Sequence, residues 1–261
     1  NDSRGCIKTC EFCDIIEHWK KFQFRSAENV FAEMLEHIKQ YNRRKFSFRN
    51  SLTNGSLKEF KKLLELMCNY NDGKEKIDQI SWEGYFIIRS PQHHTEEIMR
   101  LIGKSNGLLW LGVESVVHRV RTGFGKPFTD SDLDYHLEMG VKYNVRLSLL
   151  IIVAYPTETL EDYEFTKKWF RDRKQYANNT IDVINLSYAS ILPGTGLERK
   201  SDEYNLRQGS LPSIWINQNL NISTKQRLEY LQELRNIAEI KKIGMYEAMK
   251  FFPKRNEWRY K

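Results

Sequence analysis

Ser3-Arg4-Gly5-Cys6-Ile7-Lys8-Thr9-Cys10-Glu11-Phe12-Cys13-Asp14 holds three of the chain's four cysteines, spaced C-x-x-x-C-x-x-C. Thiolates packed this densely suit a soft metal centre. A structural zinc site closes with four ligands, usually in two Cys or Cys/His pairs, and no second pair is present. Cys68 stands alone, and His18 is the one imidazole near the loop. A 4Fe–4S cubane is normally held by four thiolates; held by three, it keeps one iron open to a ligand that is not protein. An open iron points to chemistry beyond electron storage.

The C-x-x-x-C-x-x-C spacing, with the aromatic Phe12 just before the last cysteine, resembles the radical S-adenosylmethionine (SAM) superfamily. The flanking Ser3-Arg4-Gly5 and Asp14 resemble its cobalamin-associated branch. The resemblance implies that Cys6, Cys10 and Cys13 hold a 4Fe–4S cluster whose open iron binds SAM. One electron then cleaves the sulfonium to a 5′-deoxyadenosyl radical. It also implies a one-electron reductant of the flavodoxin or ferredoxin kind. The competing reading of the loop is a zinc knuckle.

The chain has 261 residues, 40% of them hydrophobic, enough for one α/β domain with a full core. No apolar run reaches membrane-spanning length, so no membrane partner is expected. Clustered cysteines without a disulfide framework point to a reducing cytoplasm. The net charge is +7 and the pI about 9.1. Basic residues are spread along the chain, as on a solvated lysine-rich surface, rather than gathered in a stripe with aromatics. A small-molecule substrate is therefore favoured, and nucleic acid stays among the candidates.

Outward from the loop, strand alternates with helix. Ser26 caps a helix carrying Val30, Met34 and Ile38, and Phe46–Phe48 follows as a strand. Leu57, Phe60, Leu64 and Met67 mark a helix in which Cys68 reads as a small buried residue. Further strands are expected at 80–88, 108–113, 147–153 and 183–191, with helices at 95–102, 128–143 and 159–176 between them. Such alternation argues for right-handed βαβ units and a parallel sheet. With the resemblance, the fold class is α/β: a partial (β/α)6 TIM-like barrel of parallel strands. Relatives run a strand directly into the cysteine loop, and residues 1–5 are too few for it. The first strand is thus expected to be truncated, and any cobalamin module to lie upstream. Residues 1–200 read as the core domain. Residues 201–261 read as an extension whose long helix, starting at Ser223 or Thr224, docks on the core.

Ligands of parallel α/β folds bind where the strands end. After the second barrel strand, the resemblance places a cradle for the methionine amino group at Asn50 and Ser51; plain turn residues are the other reading. Glu83, Tyr85 and Arg89 share a face by period two, lining a polar interior or forming an internal ion pair. Glu114 and Ser115 close an apolar run, where a carboxylate is costly unless used. The resemblance gives Glu114 the ribose hydroxyls and Lys126 the methionine carboxylate; as a bare residue, Lys126 also reads as a surface lysine. Ile152 or Val153 would pack on the adenine, and Leu192 would help close its pocket. Ala154 stands where relatives carry glycine. Glu158 and Thr159 are expected to cap the next helix.

The implied function is a radical SAM enzyme doing methyl transfer or a rearrangement with cobalamin. A methylthiotransferase-like tRNA modifier and a non-enzymatic, metal-stabilised binding module are the alternatives.

Overall fold

The computed structural model describes residues 1–172, 181–218, 223–240 and 244–245. Its centre is a parallel sheet of β3 (Lys45–Phe48), β4 (Ser81–Phe86), β5 (Gly107–Glu114), β6 (Arg146–Ile152) and β7 (Ile181–Ser187). These five strands lie side by side in sequence order, as the alternation of strand and helix predicts. A sixth, β10 (Gly244–Met245), pairs parallel to β7. Ser3–Arg4 (β1) joins no large sheet; it pairs antiparallel with Gln23–Phe24 (β2).

Burial explains the strands. Every residue of β5 except Trp110 is buried, as a central strand covered on both faces requires. In β4, Trp82, Gly84 and Phe86 are buried, while Ser81, Glu83 and Tyr85 are half-buried. Phe60 of α3 (Leu57–Asn71) stands edge-on to Trp82 and Phe86, with ring centroids 5.8 and 5.3 Å away, so that face of β4 meets the helices. The opposite face carries Glu83 and Tyr85, with Trp110 in register with Tyr85 and Ser148. This is the polar, concave side of the barrel.

The remaining helices are α1 (Ile15–His18), α2 (Ala27–Tyr41), α4 (Glu96–Lys104), α5 (His118–Gly123), α6 (Asp130–Tyr143), α7 (Leu160–Asp172), α8 (Gly196–Arg199) and α9 (Thr224–Ile240). Ser26 caps α2 as expected, accepting from the Asn29 N–H at 3.3 Å. Thr129 and Asp132 form a reciprocal capping box on α6. On α7, Trp169 is buried, whereas Leu160 and Phe165, which share its helical pattern, are exposed. The expected continuation of this helix to residue 176 lies outside the described residues, as does the tail beyond 245.

Two departures matter for the site. β7 stops at Ser187 rather than 191, because the following backbone finds other partners. The Ala189 carbonyl accepts from the Trp215 indole at 2.8 Å, and the Ile191 N–H donates to the Pro212 carbonyl at 2.8 Å. Those partners belong to a hairpin, β8 (Leu206–Gln208) and β9 (Trp215–Asn217). Its Leu206 and Trp215 join Phe124, Ile152, Tyr155 and Leu197 in a second apolar core, on which Phe12 packs.

A buried polar strut crosses the top of the sheet. The Asn54 amide donates to His94 Nε2 (2.9 Å), His94 Nδ1 meets His136 Nε2 (2.8 Å), and His136 Nδ1 meets the Asp132 carbonyl (2.7 Å). A carbonyl can only accept, so His136 carries its proton on Nδ1 and His94 on Nδ1, and both rings are neutral. Burial pushes both imidazoles below their ordinary 6.5. As pH falls below that value, the unfolded chain takes up protons that the folded chain refuses, so stability drops. Melting temperature should therefore fall more steeply between about pH 6.5 and 5 in the parent than in a His94→Gln/His136→Gln variant. Parallel pH profiles would remove the strut from the account of stability.

Candidate metal centre and cofactor cleft

The cysteine loop leaves β1 through Gly5, whose φ of +78° and 2.9 Å approach of a would-be Cβ to the Lys21 carbonyl both demand glycine. Within the loop, the Cys13 N–H donates to the Cys10 carbonyl at 3.0 Å, and the Lys8 N–H points to Cys6 Sγ at 3.4 Å. Cys6, Cys10 and Cys13 are free thiols of intermediate burial. Burial pushes Cys10 up to about 11, with Lys126 pulling the other way, and raises Cys13 as well. Binding a metal must therefore expel protons from these thiols.

Glu11 is the residue that sequence reasoning missed. It stands in sequence between Cys10 and Cys13, and its side chain is almost fully buried. Lys200 Nζ pairs with it at 2.6 Å, the Tyr204 hydroxyl donates at 3.1 Å, and the buried Tyr155 hydroxyl donates as well. These partners lie as far as 193 residues away, so no local pattern announces them. The Tyr155 phenol is pushed up by burial first and by Glu11 next.

Lys126 and Glu114 meet in the opening. Lys126 Nζ lies 2.7 Å from Glu114 Oε1 and 2.8 Å from the Gly112 carbonyl. A Cβ at Gly112 would stand 2.5 Å from that ammonium, so the glycine makes its room. Lys126 is thus buried, against its reading as a surface lysine. It is delivered there by the connection after α5: the fully buried Arg121 donates to the Val116 and Phe128 carbonyls, and the Arg121 carbonyl accepts from the Lys126 N–H.

Arg89 lies past the end of β4, so the period-two phase does not carry it to Glu83. It donates to the carbonyls of Asn54 (3.0 Å) and Gly55 (3.2 Å) and interacts electrostatically with Cys6. Glu83 instead accepts from Ser47 at 2.7 Å and faces Arg49 at 3.5 Å. Asn50 is buried and donates to Ser3 Oγ at 2.9 Å; Ser51 is exposed. Ser115 accepts from the Val117 N–H. Phe12 sits edge-on to Phe124, with centroids 5.5 Å apart. Ile152 lies in the second core, and the half-buried Leu192 offers its carbonyl to Thr195. A cleft of about 310 Å³ opens beside the loop, lined in part by Ile7, Lys8, Ile88, Arg89, Gly112 and Lys126.

The fit to a cluster with a bound amino-acid cofactor is favourable. Three thiols share one loop, Arg89 and Lys126 line the cleft beside it, and the buried Arg89 Nε has no hydrogen-bond partner among the described residues. Among the described residues no three Cys, His, Asp or Glu side chains form a ready single-ion chelate.

No protein-family model matches the chain. Over 199 residues it is 26% identical to a putative methylthiotransferase, MJ0865, of Methanocaldococcus jannaschii, covering 74% of this chain and 42% of that protein. Over 244 residues it is 25% identical to the tRNA-2-methylthio-N(6)-dimethylallyladenosine synthase of Buchnera aphidicola, covering 88% of this chain and 48% of that protein. The chain thus spans less than half the length of these curated relatives. Among solved structures, the radical SAM methyltransferase TsrM of Kitasatospora setae, with cobalamin and a [4Fe-4S] cluster bound, superposes with a TM-score of 0.66 at 15% identity, over 89% of this chain and 45% of that one. The structure of anSMEcpe with bound AdoMet and a peptide gives 0.57 at 15%, over 94% and 61%. The partial barrel of the sequence reading is therefore the observed fold.

The exit of β6 yields one test. Ala154, in the glycine position of relatives, has φ +54°, a left-handed conformation that costs a residue with a Cβ about 1–2 kcal/mol. Glu158, expected as a cap, turns back instead: its carboxylate accepts from the Tyr155 N–H at 3.2 Å, while Thr159 and Asp162 cap α7. Ala154→Gly should stabilise the fold by up to about 1 kcal/mol, raising the melting temperature by roughly 2–4 °C. A lower melting temperature would show that the backbone there is not strained.

Proposed function

We propose that this chain, which has the fold of radical SAM enzymes, is the catalytic core of one: Cys6, Cys10 and Cys13 hold a 4Fe–4S cluster, and the adjoining cleft holds SAM. The observation that carries the proposal is that the loop bearing the three thiols lines, through Ile7 and Lys8, the same cleft as Arg89 and Lys126, with Glu114 paired to Lys126. When bound, the cluster supplies the electron that cleaves the SAM sulfonium to a 5′-deoxyadenosyl radical. The protein's part is to bind, orient and exclude. Glu114 offers carboxylate oxygens to ribose hydroxyls. Lys126 is already neutralised by Glu114, so Arg89, held by carbonyl oxygens, is the cation with charge to spare for the methionine carboxylate. Asn50 offers its partnerless oxygen to the ammonium group.

Residues 1–200 form the core in this reading, and the remainder an extension against it. A flavodoxin- or ferredoxin-like donor supplies the electron, and a reducing compartment such as the cytoplasm suits the cluster. No helix among the described residues is long and apolar enough to cross a membrane. The reaction is methyl transfer or rearrangement on a small molecule, with cobalamin from a neighbouring domain. The second reading is methylthio transfer to tRNA: both curated relatives are named for methylthio transfer, and one of them for tRNA.

Anaerobic reconstitution should give about four irons per chain and, with a strong reductant, 5′-deoxyadenosine. Cys10→Ala should lose both; Cys68→Ala, on α3 with its thiol on the Leu101 carbonyl, should keep both. One zinc and no iron in the parent would support the binding module instead.

Glu114→Gln should weaken SAM binding by about 1.5–3 kcal/mol, roughly ten- to a hundred-fold, with iron content unchanged. Titration of SAM into the reconstituted proteins reads this. Equal affinities would mean that the carboxylate serves Lys126 alone.

A further inference from the structure

Cys10 and Cys13 are separated by two residues, Glu11 and Phe12. Whatever fixes those two residues fixes where two of the three thiols point. Phe12 is held by ring packing on Phe124, which restrains position but permits rocking. Glu11 is held at every polar atom. Its N–H donates to the Phe124 carbonyl at 3.1 Å, and its carbonyl accepts from the Leu197 N–H at 2.8 Å. Its carboxylate, in a side chain 6% exposed, meets the Lys200 ammonium at 2.6 Å and accepts from the Tyr204 and Tyr155 hydroxyls. Gly196 packs so closely that a Cβ there would come within 2.9 Å of Glu11 Cγ.

A carboxylate this buried is stable only with charge-assisted donors, and such donors hold it in one geometry. The donors come from two places: the exit of β6, and the stretch from α8 to β8. Both are anchored in the second apolar core, where Tyr155, Leu197 and Leu206 are buried. The tether therefore runs from a rigid body to the link between two thiols.

Resting on the iron–sulfur reading above, we infer that Glu11 is the positioning residue of the metal centre: Tyr155, Tyr204 and Lys200 grip its carboxylate and so set where Cys10 and Cys13 present their thiolates. The variant that isolates this role is Glu11→Gln, which keeps the shape and one acceptor oxygen but loses the ion pair. In the metal-free protein, with melting temperature as a control for folding, iodoacetamide should alkylate Cys10 and Cys13 about ten-fold faster than in the parent, since losing one charge-assisted bond releases the loop to that order. Cys68, on α3, should react at an unchanged rate. In the reconstituted protein the cluster's reduction potential should move upward, because a negative charge next to its ligands is gone, and its electron paramagnetic resonance signal should change. Tyr155→Phe should reproduce the faster alkylation in part, without the charge change.

A parent with about four irons, combined with Glu11→Gln and Tyr155→Phe variants whose alkylation rates and cluster signals match it, overturns the inference. A parent that takes up one zinc and no iron overturns the reading beneath it, and the alkylation measurement in metal-free protein then still reports whether Glu11 holds the loop.

Discussion

The exit of the central strand depends on one buried ion pair. β5 is apolar along its length and ends in Glu114, whose φ of +62° and shifted register against β6 turn the chain out of the sheet. A carboxylate there is tolerable because Lys126 reaches back to it. The side chains of Glu114 and Lys126 are 11% and 10% exposed, so water screens them little. Removing one partner of such a pair typically costs about 3–5 kcal/mol, since the other is left as an uncompensated buried charge. Gly112 exists to admit the ammonium, and Arg121 to hold the connection that brings Lys126 back. The cysteine loop lies against this same connection, with the Thr9 carbonyl 3.5 Å from where a Cβ on Gly125 would be. One salt bridge thus shapes the strand exit and the cleft beside it.

How much of this could be read from sequence follows from the range of each interaction. The five central strands were legible because apolar periodicity is local and helices separate them. The cysteine loop was legible because its three cysteines lie within eight residues. The short helix α5 was not, since His118–Gly123 is one and a half turns with β-branched residues before it and glycine at its end. Nor was the β8–β9 hairpin, which has only three residues per strand and is held by the second core. The readings that failed at residue level failed for geometric reasons. Arg89 was phased with Glu83 on a strand that ends at Phe86, and Glu158 was given to a helix that Thr159 caps without it.

The polar residues of the site were partly visible as costs and invisible as partners. A glutamate ending an apolar strand, or a lysine after a glycine-rich turn, can be noticed in sequence. That they satisfy each other cannot, because they stand 12 positions apart with a helix between them. The same limit hides the two tyrosines of Glu11 and the strut from Asn54 through His94 to His136. Each is a long-range network whose members look ordinary in isolation.

This bookkeeping of charge decides which cation of the cleft faces a ligand. Lys126 and Glu114 cancel, leaving little net field at the strand exit. Arg89 meets carbonyl dipoles, which orient a guanidinium without neutralising it, and burial disfavours its charged form. A cation held in that state gains from an anion more than an already paired one does. Of the loop's three thiols, Cys6 is the one that interacts electrostatically with Arg89. The loop thus faces both cations of the cleft: Cys6 interacts with Arg89, and Cys10 and Cys13 with Lys126, whose charge Glu114 already offsets.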